Sequence, residues 1–309
     1  MFTKQESGRT RLQNRSLLFR LIGSLLAIVL LVFLVREENW SDIWGAVKRV
    51  SPQNFILALA LLYVSRLSVV GRWHVLLRSA GTQATVKDST WLTFTGLFAS
   101  NFLPTTVGGD LVRLAGAIQL GWDQPSCIAS LIVDRLVGMF SSILALPFGL
   151  IPLFNTPILS TTINAMSFMA FMRPVVDFSK RTFSAFSIWI KKPVALLISL
   201  CFACGNMLLI FAAVFVLANG LGPHISYWLV AGLWSLTYFV TLIPISINGY
   251  GVQEISLTFL LTSLGGLSNA ESLTVAVLVR IIFVLASLPG AIFLPSMASA
   301  MGKIKTKLT

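Results

Sequence analysis

The chain has 309 residues, of which 56% are hydrophobic and only 11% charged, and its mean hydropathy is positive. That composition excludes an ordinary soluble domain, which needs far more polar surface, and implies a single all-α polytopic membrane domain over 1–309. Lys and Arg number 23 against 11 Asp and Glu, but the bases sit mostly in short runs between apolar segments, so the excess reads as positive-inside topology and no nucleic-acid partner is expected.

In chain order, residues 1–16 form a basic cytoplasmic tail, and an apolar run over 21–35 follows without a small-residue cleavage site. This predicts an uncleaved first span and a cytoplasmic N-terminus. Residues 36–50 mix acids and bases around Trp40 and Trp44, as an outer interfacial segment does. Residues 55–70 bring the chain inward, with Arg72, Arg78 and Lys87 marking the cytoplasmic side. Arg66 lies within about two turns of that end, so snorkelling accounts for it.

Residues 91–103 make roughly 20 Å of helix, whereas the hydrocarbon is about 30 Å thick. They cannot span alone, so 91–121 is expected to be a re-entrant hairpin broken at 104–109. The chain then crosses outward over 124–153 and returns over 158–172. Segment 173–192 carries Arg173, Lys180, Arg181, Lys191 and Lys192 with Phe183, Phe186 and Ile190 on another face. It reads as an amphipathic helix on the cytoplasmic leaflet. Residues 194–218 run outward, 225–266 form a second hairpin from outside, and 273–294 return to a basic cytoplasmic tail at 302–309. The expected architecture is about six full spans plus two oppositely oriented hairpins.

The two hairpins carry matching patterns. The first holds Asn101, Pro104, Thr105, Thr106, Gly108, Gly109, Asp110 and Arg113; the second holds Pro244, Ser246, Asn248, Gly249, Gly251 and Glu254. In each, an apolar run stops at a proline, a Ser/Thr/Asn/Gly stretch follows, and a new helix begins with an acid. Asp134-Arg135 and Arg280 lie in the long helices after the respective hairpins, although aligning the arginines on the prolines requires a short insertion. Broken segments at corresponding places in two halves suggest an inverted repeat around a binding site.

Thr105, Thr106, Gly108 and Gly109 offer a helix start with little side-chain obstruction that suits a phosphate, Ser246, Asn248, Gly249 and Gly251 repeat it from the other side, and Arg113, Arg135 and Arg280 could contact one. The competing reading makes Asp110–Arg135 and Glu254–Arg280 buried ion pairs that fix the hairpins to neighbouring helices. Both readings stay open, and one set of residues could serve both. Cys127, Cys201 and Cys204 fall in apolar stretches and read as packing residues, His74 and His224 lack metal-ligand spacing, and no Walker motif is present. No catalytic set, metal or cofactor is therefore expected.

Phe102-Leu103-Pro104, Gly108-Gly109-Asp110 and Arg113, then Asp134-Arg135 and Gly138, then the run from Ile243 to Glu254 together resemble the lysylphosphatidylglycerol synthase transmembrane-region family of flippase-like proteins over roughly residues 15–300. A similar membrane domain in the multiple peptide resistance factor flips an aminoacylated phospholipid. The resemblance implies translocation of an anionic or phosphate-bearing lipid across the cell membrane, such as a phospholipid or a polyprenyl-phosphate-linked lipid. Other relatives belong to hopanoid or polyprenol-linked sugar pathways, which keeps two alternatives open: a membrane glycosyltransferase, for which Glu37, Glu38 and Asp42 are the outer acids, and an accessory protein that partners a lipid-modifying enzyme.

Overall fold

The computed structural model describes residues 40–103, 107–154, 192–222, 224–243 and 246–293. Within them lie ten α-helices and two short 3-10 segments, with no strand among the described residues. Four helices are long and apolar enough to cross a membrane: Pro52–Ser79, Gln124–Ile143, Pro193–Asn219 and Asn269–Ile292. The molecule is an integral membrane protein of helical class. The expected spans at 21–35 and 158–172, the segment 173–191 and both basic tails lie outside the described residues.

Helix α1 (Trp40–Arg49) precedes α2 (Pro52–Ser79). Ser51 caps α2, its hydroxyl accepting the Asn54 N–H at 3.1 Å, and Pro52 sits in the first turn, where a missing N–H costs nothing. A stripe of Leu62, Arg66, Val69, Trp73 and Leu76 is buried at helical spacing. The inward run does not end near residue 70 as expected; it continues to Ser79, about 42 Å in all.

Helix α2 packs against the equally long α7 (Pro193–Asn219). Lys192 Nζ donates to the Ser79 carbonyl at one end. Halfway along, Ser65 Oγ donates to Asn206 Oδ1 at 2.7 Å. At the other end Asn54 crowds Gly220, where a Cβ would meet its Nδ2 at 2.8 Å. The two helices are antiparallel. Their outer faces expose Ile56, Leu57, Val64, Leu67, Val194 and Leu197, an apolar surface for acyl chains.

Helices α3 (Val86–Ser100) and α4 (Gly108–Gln119) form the first pair. A Thr85–Asp88 capping box opens α3. Residues 80–83 and 120–123 line one cleft, so the pair begins and ends at the Ser79 end of the molecule. Helix α5 (Gln124–Ile143) starts there, capped by Asp123, whose side chain accepts the Ser126 N–H at 3.0 Å. Hydrogen bonding to Ser126 holds the Asp123 carboxyl below its ordinary pKa range.

The expected single run over 124–153 breaks at residues 144–145, and α6 (Leu146–Phe154) follows. Pro147 explains the break: it has no N–H to continue the α5 ladder, and it sits in the first turn of the new helix. Gly149 of α6 meets Gly232 of α8 (Tyr227–Thr241) backbone to backbone.

The second pair is α8 and α9 (Val252–Gly265), joined through a 3-10 turn at Ile247–Gly249. Helix α10 (Asn269–Ser287) follows and ends in 3-10 geometry at Leu288–Phe293. Arg49 Nη1 donates to Glu271 at 2.8 Å and to the Leu221 carbonyl at 3.3 Å, and the Ile225 N–H donates to Asn219 Oδ1 at 2.8 Å. Ile225 also closes on Gly265, 3.2 Å from a Cβ built there. Thus α8 begins and α9 ends at the end opposite to that of α3 and α4.

Candidate functional site

Midway between the two ends the helices leave a cavity of about 330 Å³. Arg66 and Arg72 reach it from α2, Asp110 and Arg113 from α4, Asp134 and Arg135 from α5, and Arg280 from α10. Asn101, Asn206, Tyr238, Asn248 and Gln253 add uncharged polar groups, with Trp234 and Phe283 on the apolar side.

Four of these charged side chains sit on two helices that the sequence places side by side. Asp110 and Arg113 are three apart on α4 and share a face, with 3.1 Å between Oδ1 and Nη1. Asp134 and Arg135, adjacent on α5, diverge by about 100° and take different partners. Arg135 Nε donates to Asp110 Oδ2. Asp134 accepts a two-point fork from Arg72, Nε to Oδ1 at 2.6 Å and Nη2 to Oδ2 at 3.0 Å, and a third bond from Arg113 Nη1 at 3.3 Å. The result is a ladder in which each aspartate is shared by two guanidiniums: Arg72, Asp134, Arg113, Asp110, Arg135. The fork geometry explains why arginine rather than lysine holds Asp134.

Aromatic faces support the same bases. Arg113 lies 4.0 Å from the Trp73 ring centroid, and Trp73 is held by its Nε1–H donating to Ser130 Oγ at 3.1 Å. Arg66 lies 4.6 Å from the Phe283 centroid and makes no ion pair among the described residues.

The second pair of helices builds a separate ion pair. Arg280 Nε donates to Glu254 Oε1 and its Nη2 to the Gly249 carbonyl at 3.3 Å. Glu254 also accepts the Gly251 N–H at 2.7 Å. The turn that makes this possible is left-handed at Asn248, Gly249 and Gly251, with φ of 50°, 74° and 78°, a region that asparagine and glycine tolerate best. Asp110 and Arg135 are 25 residues apart, Glu254 and Arg280 are 26. Aligned on the acids rather than the prolines, the two halves correspond almost without insertion.

The expected ion pairs Asp110–Arg135 and Glu254–Arg280 therefore form. Asn101, Asp110, Arg113, Asp134, Arg135, Asn248 and Arg280 line the cavity. Glu254 is buried behind Arg280. Gly108, Gly109, Ser246, Gly249 and Gly251 are not on the cavity wall. Gly109 instead faces Gly96 of α3, where a Cβ would stand 2.5 Å from the Gly96 carbonyl oxygen, and the Gly251 N–H is taken by Glu254. At Gly109 the space, and at Gly251 the N–H, are thus taken up within the protein. Pro104, Thr105, Thr106 and Pro244 lie outside the described residues.

Arg66 and Arg72 correct the sequence reading. Both are buried in the cavity wall, because α2 runs nine residues past the expected end near Val70 and places them inside the helix rather than at its end. Among the described residues no cluster of His, Cys, Asp and Glu could hold a metal ion, and the three cysteines are unpaired.

A family model described as lysylphosphatidylglycerol synthase TM region matches residues 20–290. No curated protein matches the chain. The match takes in the ladder, both helix pairs and the Glu254–Arg280 pair, and the chain belongs to the lysylphosphatidylglycerol synthase TM-region family.

Proposed function

We propose that the protein translocates an anionic or phosphate-bearing lipid across the cell membrane, passing its headgroup through the central cavity while the acyl chains stay in the bilayer. The observation that carries this reading is the cavity itself: an arginine-rich, polar chamber between the ends of the long helices in a chain whose outer faces are apolar. Charges at that depth are costly and are kept where they serve a path or a ligand. Membership of a lipid-related family points the same way.

In this reading α3–α4 and α8–α9 are re-entrant hairpins of an inverted repeat, entering from opposite leaflets. Their outer turns lie at opposite ends of the molecule, and α3 and α4, at about 22 and 18 Å, are too short to cross about 30 Å of hydrocarbon. The broken segments meet at the cavity, as transporter binding sites do. Both termini are cytoplasmic, and the chain works as a transporter rather than an enzyme.

The test uses the purified full chain in liposomes whose outer leaflet carries a fluorescent phosphatidylglycerol. Protein-dependent movement of label to the inner leaflet is expected, reduced in Arg135→Lys, which keeps the charge but loses the fork. Movement no faster than in protein-free liposomes would overturn the proposal.

A further inference from the structure

Where α2 ends and α7 begins, the two long helices leave a hollow of about 590 Å³ at the Ser79 end of the molecule, apart from the central cavity. Arg78 lines it from the last turn of α2, and Lys192 from the residue that precedes α7. Lys192 Nζ donates to the Ser79 carbonyl and so holds the two helix ends together; the ammonium keeps further N–H donors. The rest of the hollow is largely apolar, with Val75 on α2 and Val194, Ala195 and Ile198 on α7. Val194 and Ile198 are four apart on one helix face and both are exposed, so the apolar wall runs on into the outer surface of α7.

The bases here have no acid to answer them. Arg78 and Lys192 are exposed, and neither makes an ion pair among the described residues. No carboxylate lines the hollow. Asp88 and Asp123, the described acids of this end, are engaged at the starts of their own helices, by Thr85 and by the Ser126 N–H. His74 also reaches the hollow, with its Nδ1 engaged by Ser89 Oγ at 2.9 Å; the fixed positive charge is that of Arg78 and Lys192. Bases that only snorkel turn outward to water. These two come from separate helices to one hollow with apolar walls, and a basic pocket between membrane helices suits a lipid headgroup.

We infer that this hollow is a second lipid site, which holds the phosphate of an acidic phospholipid between Arg78 and Lys192 and lays an acyl chain along Val194 and Ile198. A bilayer lipid fits it better than free phosphate, because only a lipid also covers the apolar wall. The site does not depend on the translocation reading: its lipid stays in one leaflet and bridges the ends of α2 and α7, outside the central cavity.

The experiment uses the purified full chain in detergent with phosphatidylglycerol or phosphatidylcholine carrying a photoreactive diazirine on one acyl chain, and maps the adducts by mass spectrometry. Phosphatidylglycerol should label Val75 and residues 194–198 more than phosphatidylcholine does, and added salt should erode that preference. One base beside an anionic headgroup contributes about fivefold. Arg78→Gln should therefore lower the phosphatidylglycerol adduct about fivefold, and the double variant with Lys192→Gln about thirtyfold. Lys87→Gln, exposed but off the hollow, should leave it unchanged. Arg78→Gln breaks no ion pair, so it should fold, and a wild-type melting temperature in the absence of lipid checks that.

Equal labelling by the two lipids, a phosphatidylglycerol adduct untouched by Arg78→Gln, or no adduct at these residues overturns the site. Displacement of the adduct by inorganic phosphate at the concentration of the lipid makes it a free-phosphate pocket and overturns the lipid assignment. The liposome assay keeps the two readings apart: lipid movement without an adduct here rejects this site alone, and an adduct without movement rejects translocation alone.

Discussion

Asp134 is the residue on which most of the cavity depends, since it holds Arg72 by a fork and Arg113 by a third bond. Asp134→Asn strands two guanidiniums in low dielectric and should destabilise the protein by about 3–5 kcal/mol, seen as lost folded yield and a lower melting temperature. Arg72→Met in the same background should recover part of it; strictly additive losses would show that the pair is not coupled. Glu254→Gln and Arg280→Gln form a second cycle with the same expectation. Gly109→Ala should cost about 1–3 kcal/mol, because the new Cβ meets the Gly96 carbonyl oxygen; normal stability with lost transport would restore the phosphate-cradle role. The paired charges were legible in the sequence because an intramembrane acid must find a base, and the motif put Asp110 and Glu254 at matching places. Arg66 and Arg72 were not, because a helix end was set by the first cluster of bases. The buried stripe of Leu62, Val69, Trp73 and Leu76 continues through that cluster at helical spacing, and it is the signal that locates both arginines in the interior.

At the level of elements, the two helix pairs were the best-defined part of the sequence. Segments expected at 91–121 and 225–266 correspond to α3–α4 and α8–α9, since proline and glycine breaks interrupt helices for reasons local to the chain. The break between α5 and α6 was missed because the apolar run over 124–153 has no polar interruption, and only Pro147 marks the join. Side-specific labelling tests how the pairs sit in the bilayer. Single cysteines at Gln83 and Gln124, in a cysteine-free background, should react from one side only, and cysteines at His224 and Asn269 only from the other; all four positions are exposed. Reaction of Gln83→Cys and Gln124→Cys from opposite sides would make α3–α4 a crossing pair and end the inverted-repeat reading.

For the whole molecule, the antiparallel α2 and α7 supply a frame about 40 Å long on which both short pairs converge. Membership of the family was readable from three motifs in order, but the charge balance of the cavity was not, since it depends on which side chains of five separate helices meet. An anionic lipid that binds the cavity as proposed would bind only the folded state and stabilise it by mass action, about 2.7 kcal/mol at a hundredfold excess over Kd. Phosphatidylglycerol added to detergent-purified protein should therefore raise the melting temperature, and Arg135→Lys should reduce that rise.

The uncommitted charge of Arg66 also has an electrical consequence for turnover. If the protein moves an anionic lipid as proposed, its departure leaves the buried Arg66 charge without an ion-pair partner among the described residues, so the unloaded protein should be the high-energy member of the cycle and its return the slow step. Swapping one anion for another bypasses that member, whereas one-way delivery must pass through it. Labelled lipid should consequently leave one leaflet faster when unlabelled lipid of the same charge is present in the opposite leaflet. A rate indifferent to the opposite leaflet would mean that the empty cavity is discharged by some other route.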